Sequence, residues 1–355
     1  MSVRVRFAPS PTGSLHLGNA LTAVANRRFA DEHDGALVLR IDDTDPSRTV
    51  AGGEEAIVAD LAWLGIDWDE GPVRQSARAR LYAAAAATAE ASGAARRDEE
   101  GALRLGTTTL VRADGTATYQ LASVADDLEL GITHVIRGSD HRANEQLQQR
   151  IAVALGGELP QVLHHGLLLG EDGRKLSKRH GHSSVAELRS DGVPAAAARA
   201  YLDELGLPAH DVQLDRGRLG RLAIDAITAM GDEELTSAAD APLGLARALR
   251  GARTLVEARE MALQITNPDP VSLPVDARPT LERFLELRSG AGEQLDESGA
   301  RGIVRELKAV GGDLRHLRLA LTGAARGPEL WAVIAALSLD EALERVRRAG
   351  EQVSG

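Results

Sequence analysis

The chain contains no cysteine. Disulfides and thiolate metal sites are therefore excluded, and a reducing, cytoplasmic setting is expected. No uninterrupted apolar run approaches the ~20 residues that span a bilayer, so no transmembrane helix and no membrane partner is expected. The stretch Met1 to Phe7 alternates apolar and polar residues like a strand and lacks the apolar core of a secretory signal. An excess of positive charge is also missing. The formal net charge is −11, so bulk charge gives no support for a nucleic-acid partner, although a local basic patch on an acidic body is compatible with it. Lysine is scarcer still. Of 41 basic residues only Lys175, Lys178 and Lys308 are lysines. Two of the three stand within four residues of each other. Lysine and arginine are not interchangeable where a compact, mobile point charge must reach a phosphate, so residues 175–178 mark a candidate phosphate-handling loop.

What is present reads as two kinds of structure. The chain has 355 residues, enough for two or three cores. Val3 to Ala8 predicts a strand, ended by Pro9 and Pro11. A helix follows from near Leu17 or Gly18 to about Glu32, with Leu21, Val24, Ala25 and Phe29 on one face. Ala36 to Ile41 predicts a second strand, and Ile57, Val58, Leu61 and Leu64 mark an amphipathic helix. Alternating strands and helices are the grammar of an α/β fold with a doubly wound parallel sheet. Thr107 to Arg112 and Thr116 to Leu121 predict a hairpin across Asp114-Gly115. The α/β pattern resumes with a helix over about Ser123 to Leu130, a strand at Ile132 to Ile136, a helix over Asn144 to Leu155 and a strand at Val162 to Leu169. From about Ser183 the periodicity is helical, including single helices over Leu245 to Ile265 and Glu329 to Arg348. The Pro-rich stretch from Asn267 to Pro274 is a boundary candidate. The expected division is 1–182 for a Rossmann-type domain, 183–270 for a first helical domain and 271–355 for a second.

The segment Pro9-Ser10-Pro11-Thr12-Gly13-Ser14-Leu15-His16-Leu17-Gly18-Asn19 leads from strand through turn into helix. Helix N-terminal amides and the macrodipole favour an anion there. Gly13 and Gly18 permit turns and close approach of backbone. His16 stands at the helix mouth, able to donate to phosphate oxygens. An isolated histidine in that place is more often a cap or a surface residue, and it is the whole string that is specific.

This string resembles the HIGH region of class I aminoacyl-tRNA synthetases, in the form found in glutamyl-tRNA synthetases, with Asn19 replacing the last histidine of the motif name. Lys175-Leu176-Ser177-Lys178-Arg179 resembles the matching KMSKS loop. Three further blocks resemble that family in the same order: Arg40-Ile41-Asp42-Asp43-Thr44-Asp45, Tyr119-Gln120-Leu121-Ala122 and Ile132-Thr133-His134-Val135-Ile136-Arg137-Gly138. A weaker likeness, Leu317 to Gly323 with Gly327-Pro328, resembles the end of the bacterial family's anticodon-binding region. The resemblance implies ATP-dependent activation of glutamate as glutamyl-adenylate and transfer to the 3′ end of tRNA. It implies His16, Lys175 and Lys178 as catalytic cations. It implies an ATP site of Pro11, Thr12, Gly13, His16, Gly18, Asn19, Leu176, Ser177 and Lys178. It implies a glutamate site of Arg6, Ala8, Ser10, Asp42, Tyr119, Ser123, Arg137 and His141. Arginine suits the substrate carboxylates because its planar fork matches their geometry. Mg²⁺ is expected with ATP, and protein carboxylates need contribute little to holding it. No zinc is expected.

The chain departs from the family in two places. Asp42 stands where many bacterial members carry glutamate. The interval between Tyr82 and Tyr119, which in ordinary members holds a sizeable insert gripping the acceptor end of tRNA, is reduced to a helix, a charged link and a hairpin. A second acceptor class therefore stays open: a small molecule, peptide or carrier in place of tRNA. A glutamyl-queuosine enzyme is disfavoured by residues 271–355, and a catalytically dead paralogue by His16, Lys175 and Lys178. His164-His165 and His180-Gly181-His182 lack a further ligand at metal spacing and read as structural or nucleotide-loop residues. Ser177 lacks the Gly-x-Ser-x-Gly elbow of a hydrolase nucleophile.

Overall fold

The computed structural model describes residues 2–45, 47–174, 176 and 184–351. It forms two compact units. One comprises Met1–Ser190 with Ala198–Leu219, the other Asp191–Ala197 with Gly220–Gly355. No helix among the described residues is long and apolar enough to cross a membrane.

The first unit begins with β1 (Arg4–Phe7), α1 (Leu17–Glu32), β2 (Ala36–Ile41), α2 (Gly53–Trp63) and β3 (Glu70–Arg74). The three strands are parallel in the order β1-β2-β3, with Phe7 beside Leu39. In β2 every residue from Leu37 to Ile41 is buried. A strand covered on both faces needs such a continuous apolar run, and Arg40 is its one charged member. Next come α3 (Ala79–Ala91), β4 (Arg96–Arg97), β5 (Leu103–Leu105), β6 (Thr108–Val111), α4 (Tyr119–Glu129), β7 (His134–Gly138), α5 (Glu145–Ala154) and β8 (Gln161–His165). β7 and β8 are parallel. The lead-in to β7 joins β1, since Thr133 N donates to Arg4 O at 2.9 Å and Arg4 N donates to Thr133 Oγ1 at 2.8 Å. The strands thus lie β3-β2-β1-β7-β8. This is the doubly wound arrangement, and the winding reverses between β1 and β7, where ligands of such folds bind at the carboxyl ends of the strands. β9 (Leu168–Leu169), α6 (Val185–Ser190), α7 (Ala195–Leu205) and β10 (Val212–Gln213) follow, with β10 parallel to β9.

The predicted hairpin is only half right. β6 pairs with β5, and beyond the Asp114-Gly115 turn the return strand extends only from Thr116 to Thr118, with Arg112 N donating to Thr116 O at 2.8 Å, Thr118 N to Leu110 O at 2.9 Å and Ala117 bridging to Val111. Tyr119, Gln120 and Leu121 are already helical, because α4 buries Leu121 and Val124 against the core that also holds Ile151 of α5. The strands β3, β4 and β5 were not legible in the sequence. β4 is a two-residue strand, and β3 carries Gly71 and Pro72, which argue against a strand.

The second unit is helical, as the periodicity predicts: α8 (Arg216–Ala229), of which it takes the part from Gly220, then α9 (Asp232–Ala238), α10 (Ala246–Leu249), α11 (Leu255–Thr266), α12 (Arg278–Gly290), α13 (Glu297–Ala309), α14 (Leu314–Thr322), α15 (Leu330–Ala336) and α16 (Leu339–Glu351). Phe284, Leu281, Leu317, Leu321, Val333, Ile334 and Val346 form its core. Two long predicted helices are in fact pairs. The first breaks before Thr254, whose hydroxyl accepts from Glu257 N at 3.1 Å and caps α11. The second breaks at Ser338, which exchanges hydrogen bonds with Glu341 in a reciprocal capping box. Both breaks carry the Ser/Thr-x-x-Glu signature of a helix start.

Candidate active site

The loop after β1 is held at several points. Asp42 N donates to Pro9 O at 3.0 Å and Val50 N to Pro11 O at 3.0 Å. The buried Asp60 of α2 accepts from Ser14 Oγ at 2.7 Å and from Leu15 N at 2.8 Å. Gly13 has φ +100°, a conformation costly for any residue with a Cβ. α2 starts so close to the loop that a Cβ on Gly53 would lie 2.3 Å from Pro11 O. This anchoring presents the N-terminus of α1 to the space beyond β1. No side chain caps that terminus, and its first turn carries no acidic residue. Gly18, in that turn, faces open space. Free N–H groups and the positive end of the dipole make this a place for phosphate.

A cavity of about 350 Å³ opens at the carboxyl ends of β1 and β7. It brings together most of the predicted residues: Arg6, Ala8, Ser10, Thr12, His16, Gly18, Asn19, Asp42, Tyr119, Arg137, His141 and Leu176 all line it. Pro11 and Gly13 do not, and shape the loop instead. Ser123 does not line it either; it is buried behind Arg40, with its Oγ 3.4 Å from Arg40 Nη2. Lys175, Ser177 and Lys178 lie outside the described residues.

The floor of the cavity is a charge network on β1, β2 and α4. Arg40, fully buried, donates to both oxygens of Asp42 at 2.6 and 3.1 Å and to Asp127 Oδ1 at 2.8 Å. Arg6 Nε donates to the same Asp127 oxygen at 3.3 Å. Burial pulls the Arg40 pKa down, but Asp42, Asp127 and Asp126 outweigh it and raise it well above the ordinary arginine value. Burial pushes the Asp42 carboxyl up, against the pull of Arg40. Asp126 is also pushed up by burial, and accepts from Gln75, Arg78 and Tyr82. The sequence reading missed Arg40, Asp126 and Asp127 as site residues. The available signals were one arginine inside an apolar strand and two adjacent acids in the mostly apolar run from Leu121 to Leu128.

Arg137 differs from its neighbours. It is 6% exposed and lies within 4 Å of no carboxylate among the described residues. Nη1 donates to Gln148 Oε1 at 2.8 Å, Nε to His164 Nε2 at 3.4 Å, and Nη2 is buried with no partner among the described residues. Burial and then Arg6 lower its pKa. A buried cation so placed favours an anion entering the cavity. His165, also at the cavity, has its pKa lowered by burial. Its Nδ1 donates to Gly166 O at 2.8 Å, which leaves Nε2 to accept from Thr22 at 3.0 Å.

Comparison with known proteins identifies the family. The family described as tRNA synthetases class I (E and Q), catalytic domain, matches residues 2–106 and 99–214. The chain belongs to this family. It is similar to glutamate–tRNA ligase 1 of Rubrobacter xylanophilus, 36% identical with 99% of this chain and 98% of that protein covered. It is likewise similar to glutamate–tRNA ligase 1 of a Methylobacterium species, at 32% with 98% of each covered. Among solved structures, a glutamate tRNA ligase from Elizabethkingia meningosepticum in complex with its amino acid superposes with a TM-score of 0.76 at 22% identity, covering 100% of both chains. The synthetase from Elizabethkingia anophelis gives 0.74 at 22%, covering 99% of this chain and 100% of that one. These two establish the fold. The Rubrobacter alignment runs over 445 positions against 355 residues here, so at least 90 positions have no residue in this family member. The two matched pieces of the catalytic domain meet at 99–106, around β5.

Proposed function

We propose that the chain is a glutamate–tRNA ligase, activating glutamate with ATP as glutamyl-adenylate and passing the glutamyl group to the 3′ end of tRNA. The observation that carries this reading is Arg137, a buried guanidinium without a carboxylate partner among the described residues, facing a cavity that also exposes an uncapped helix N-terminus. One feature suits a substrate carboxylate and the other a chain of phosphates.

The chemistry needs alignment and charge stabilisation more than proton transfer. The α-carboxylate of glutamate attacks the α-phosphorus, the bond to the β-phosphate oxygen breaks, and pyrophosphate leaves. No general base is required, because the carboxylate is ionised at neutral pH. Arg137 and Arg6 hold the side-chain carboxylate. Asp42, kept charged by Arg40, receives the α-ammonium. His16 and the first amides of α1 take the triphosphate, and Lys175 and Lys178 follow the departing pyrophosphate. Mg²⁺ would screen the phosphates when bound, held mainly by the nucleotide itself. In this reading residues 183–270 and 271–355 serve the tRNA stem and anticodon, and the enzyme works in the cytoplasm.

Glutamate-dependent ATP–pyrophosphate exchange, run with and without tRNA and followed by a charging assay with labelled glutamate, tests the proposal. Exchange that depends on tRNA, together with labelled tRNA, is the expected result. Strong exchange without tRNA and no charged tRNA would redirect the glutamyl group to a non-tRNA acceptor. No exchange with any amino acid in either condition would refute adenylation. Arg137→Ala should raise the KM for glutamate by roughly a hundredfold while the KM for ATP moves little, since it deletes a charge-assisted bidentate contact.

A further inference from the structure

The partners of Arg137 differ in kind from those of the other buried arginines at the cavity. Arg6 and Arg40 each reach a carboxylate. Arg137 is gripped on two of its three nitrogens by uncharged acceptors. Its neighbour across the β7–β8 ladder is His164, which accepts at Nε2. From α5, Gln148 accepts at Oε1. Both grips are built in: Gln148 is 3% exposed and the His164 side chain 7%. The third nitrogen, Nη2, is the one left without a partner among the described residues.

A neutral acceptor orients a guanidinium without cancelling its charge. A carboxylate in the same place would orient it equally well but would compete with any incoming anion. We infer that Gln148 and His164 are positioning residues that hold Arg137 in register while leaving its charge uncompensated, so that the cavity selects a substrate carrying a second carboxylate. This rests on reading the cavity as the glutamate site. For His164 to accept at Nε2 its proton must sit on Nδ1, which faces Glu145 Oε2 at 3.7 Å. Burial, then Arg137, hold its pKa below the ordinary histidine value, with Glu145 opposing and Arg142 and His141 adding to the effect. The neutral form is therefore the one present at neutral pH.

The test replaces each neutral acceptor by a carboxylate. Gln148→Glu and His164→Glu should each raise the glutamate KM in the exchange assay by roughly tenfold or more, the worth of one charge-assisted contact, with the ATP KM held within about twofold. His164→Gln, which keeps a neutral acceptor, should stay within about threefold of wild type on both. KM is read from folded molecules only, so partial misfolding lowers the apparent kcat without imitating the effect, and either acidic variant decides the matter if the other does not fold. If the wild type activates glutamate and the acidic variants bind it with unchanged KM, the inference fails and the proposed function stands. If the glutamate and ATP KM values rise together, the residues are merely structural and the inference again fails. If the wild type activates no amino acid, both fall.

Discussion

Replacing Arg40 by methionine probes the charge network that floors the cavity. The side chain is fully buried and is shared by Asp42, through two hydrogen bonds, and Asp127, with Asp126 Oδ2 3.7 Å away. Methionine fills most of the volume, so the loss is electrostatic rather than a cavity. Removing one partner of a buried ion pair costs about 3–5 kcal/mol, because the remaining charges stay desolvated. For a unit of roughly 200 residues this corresponds to a fall in Tm of about 6–20 °C. The pH dependence has a definite sign. Burial already raises the Asp42 and Asp126 carboxyls in the folded state, and a raised folded pKa means that stability is present below the unfolded value and lost as pH rises through the folded one. Without Arg40 both carboxyls rise further. The deficit of Arg40→Met should therefore be largest at pH 8 and shrink towards pH 5, where protonated carboxyls need no cation. Thermal unfolding by circular dichroism at both pH values measures it. A variant melting within about 2 °C of wild type at pH 8, against the several kcal/mol expected, would refute this reasoning, as would a deficit that grows on acidification.

Two further substitutions separate loop, site and helical unit. Gly53→Ala places a Cβ 2.3 Å from Pro11 O and 3.3 Å from Gly13 N, so the phosphate loop must shift. A destabilisation of about 1–3 kcal/mol with a several-fold rise in the ATP KM is expected, read by thermal melts and exchange kinetics. Phe284→Ala empties the core of the helical unit, where the ring is 0% exposed. It should cost about 3–5 kcal/mol in urea unfolding, while the glutamate KM measured below the unfolding transition stays at the wild-type value.

Reading the sequence succeeded where the determinants are local. The strand-turn-helix from Val3 to Glu32 was legible, and α1 falls where its pattern predicts. It failed where two signals competed. The run from Thr116 to Leu121 alternates like a strand, yet tertiary packing of Leu121 and Val124 makes its second half, Tyr119 to Leu121, the first turn of α4. The helix starts at Thr254 and Ser338 were written in the chain but were masked by continuing apolar periodicity.

The half of the site proposed for phosphate belongs to the sequence. Loop, glycines and helix N-terminus are contiguous, and backbone geometry needs no distant partner to present amides to an anion. The same contiguity let the lysine pair at 175 and 178 stand out in a chain almost without lysine. The half proposed for the substrate carboxylate was decided by tertiary structure. Nothing near Arg137 in the chain says that it lacks a counter-charge; that follows from the β7–β8 register beside His164 and from Gln148 on α5. Asp42 stands two residues from Arg40, but nothing near Arg40 in the chain says that its charge is also shared with Asp127, 87 residues away. Whether a buried cation is neutralised or left for a ligand depends on a few ångströms between separate elements, and only the packed fold sets those distances.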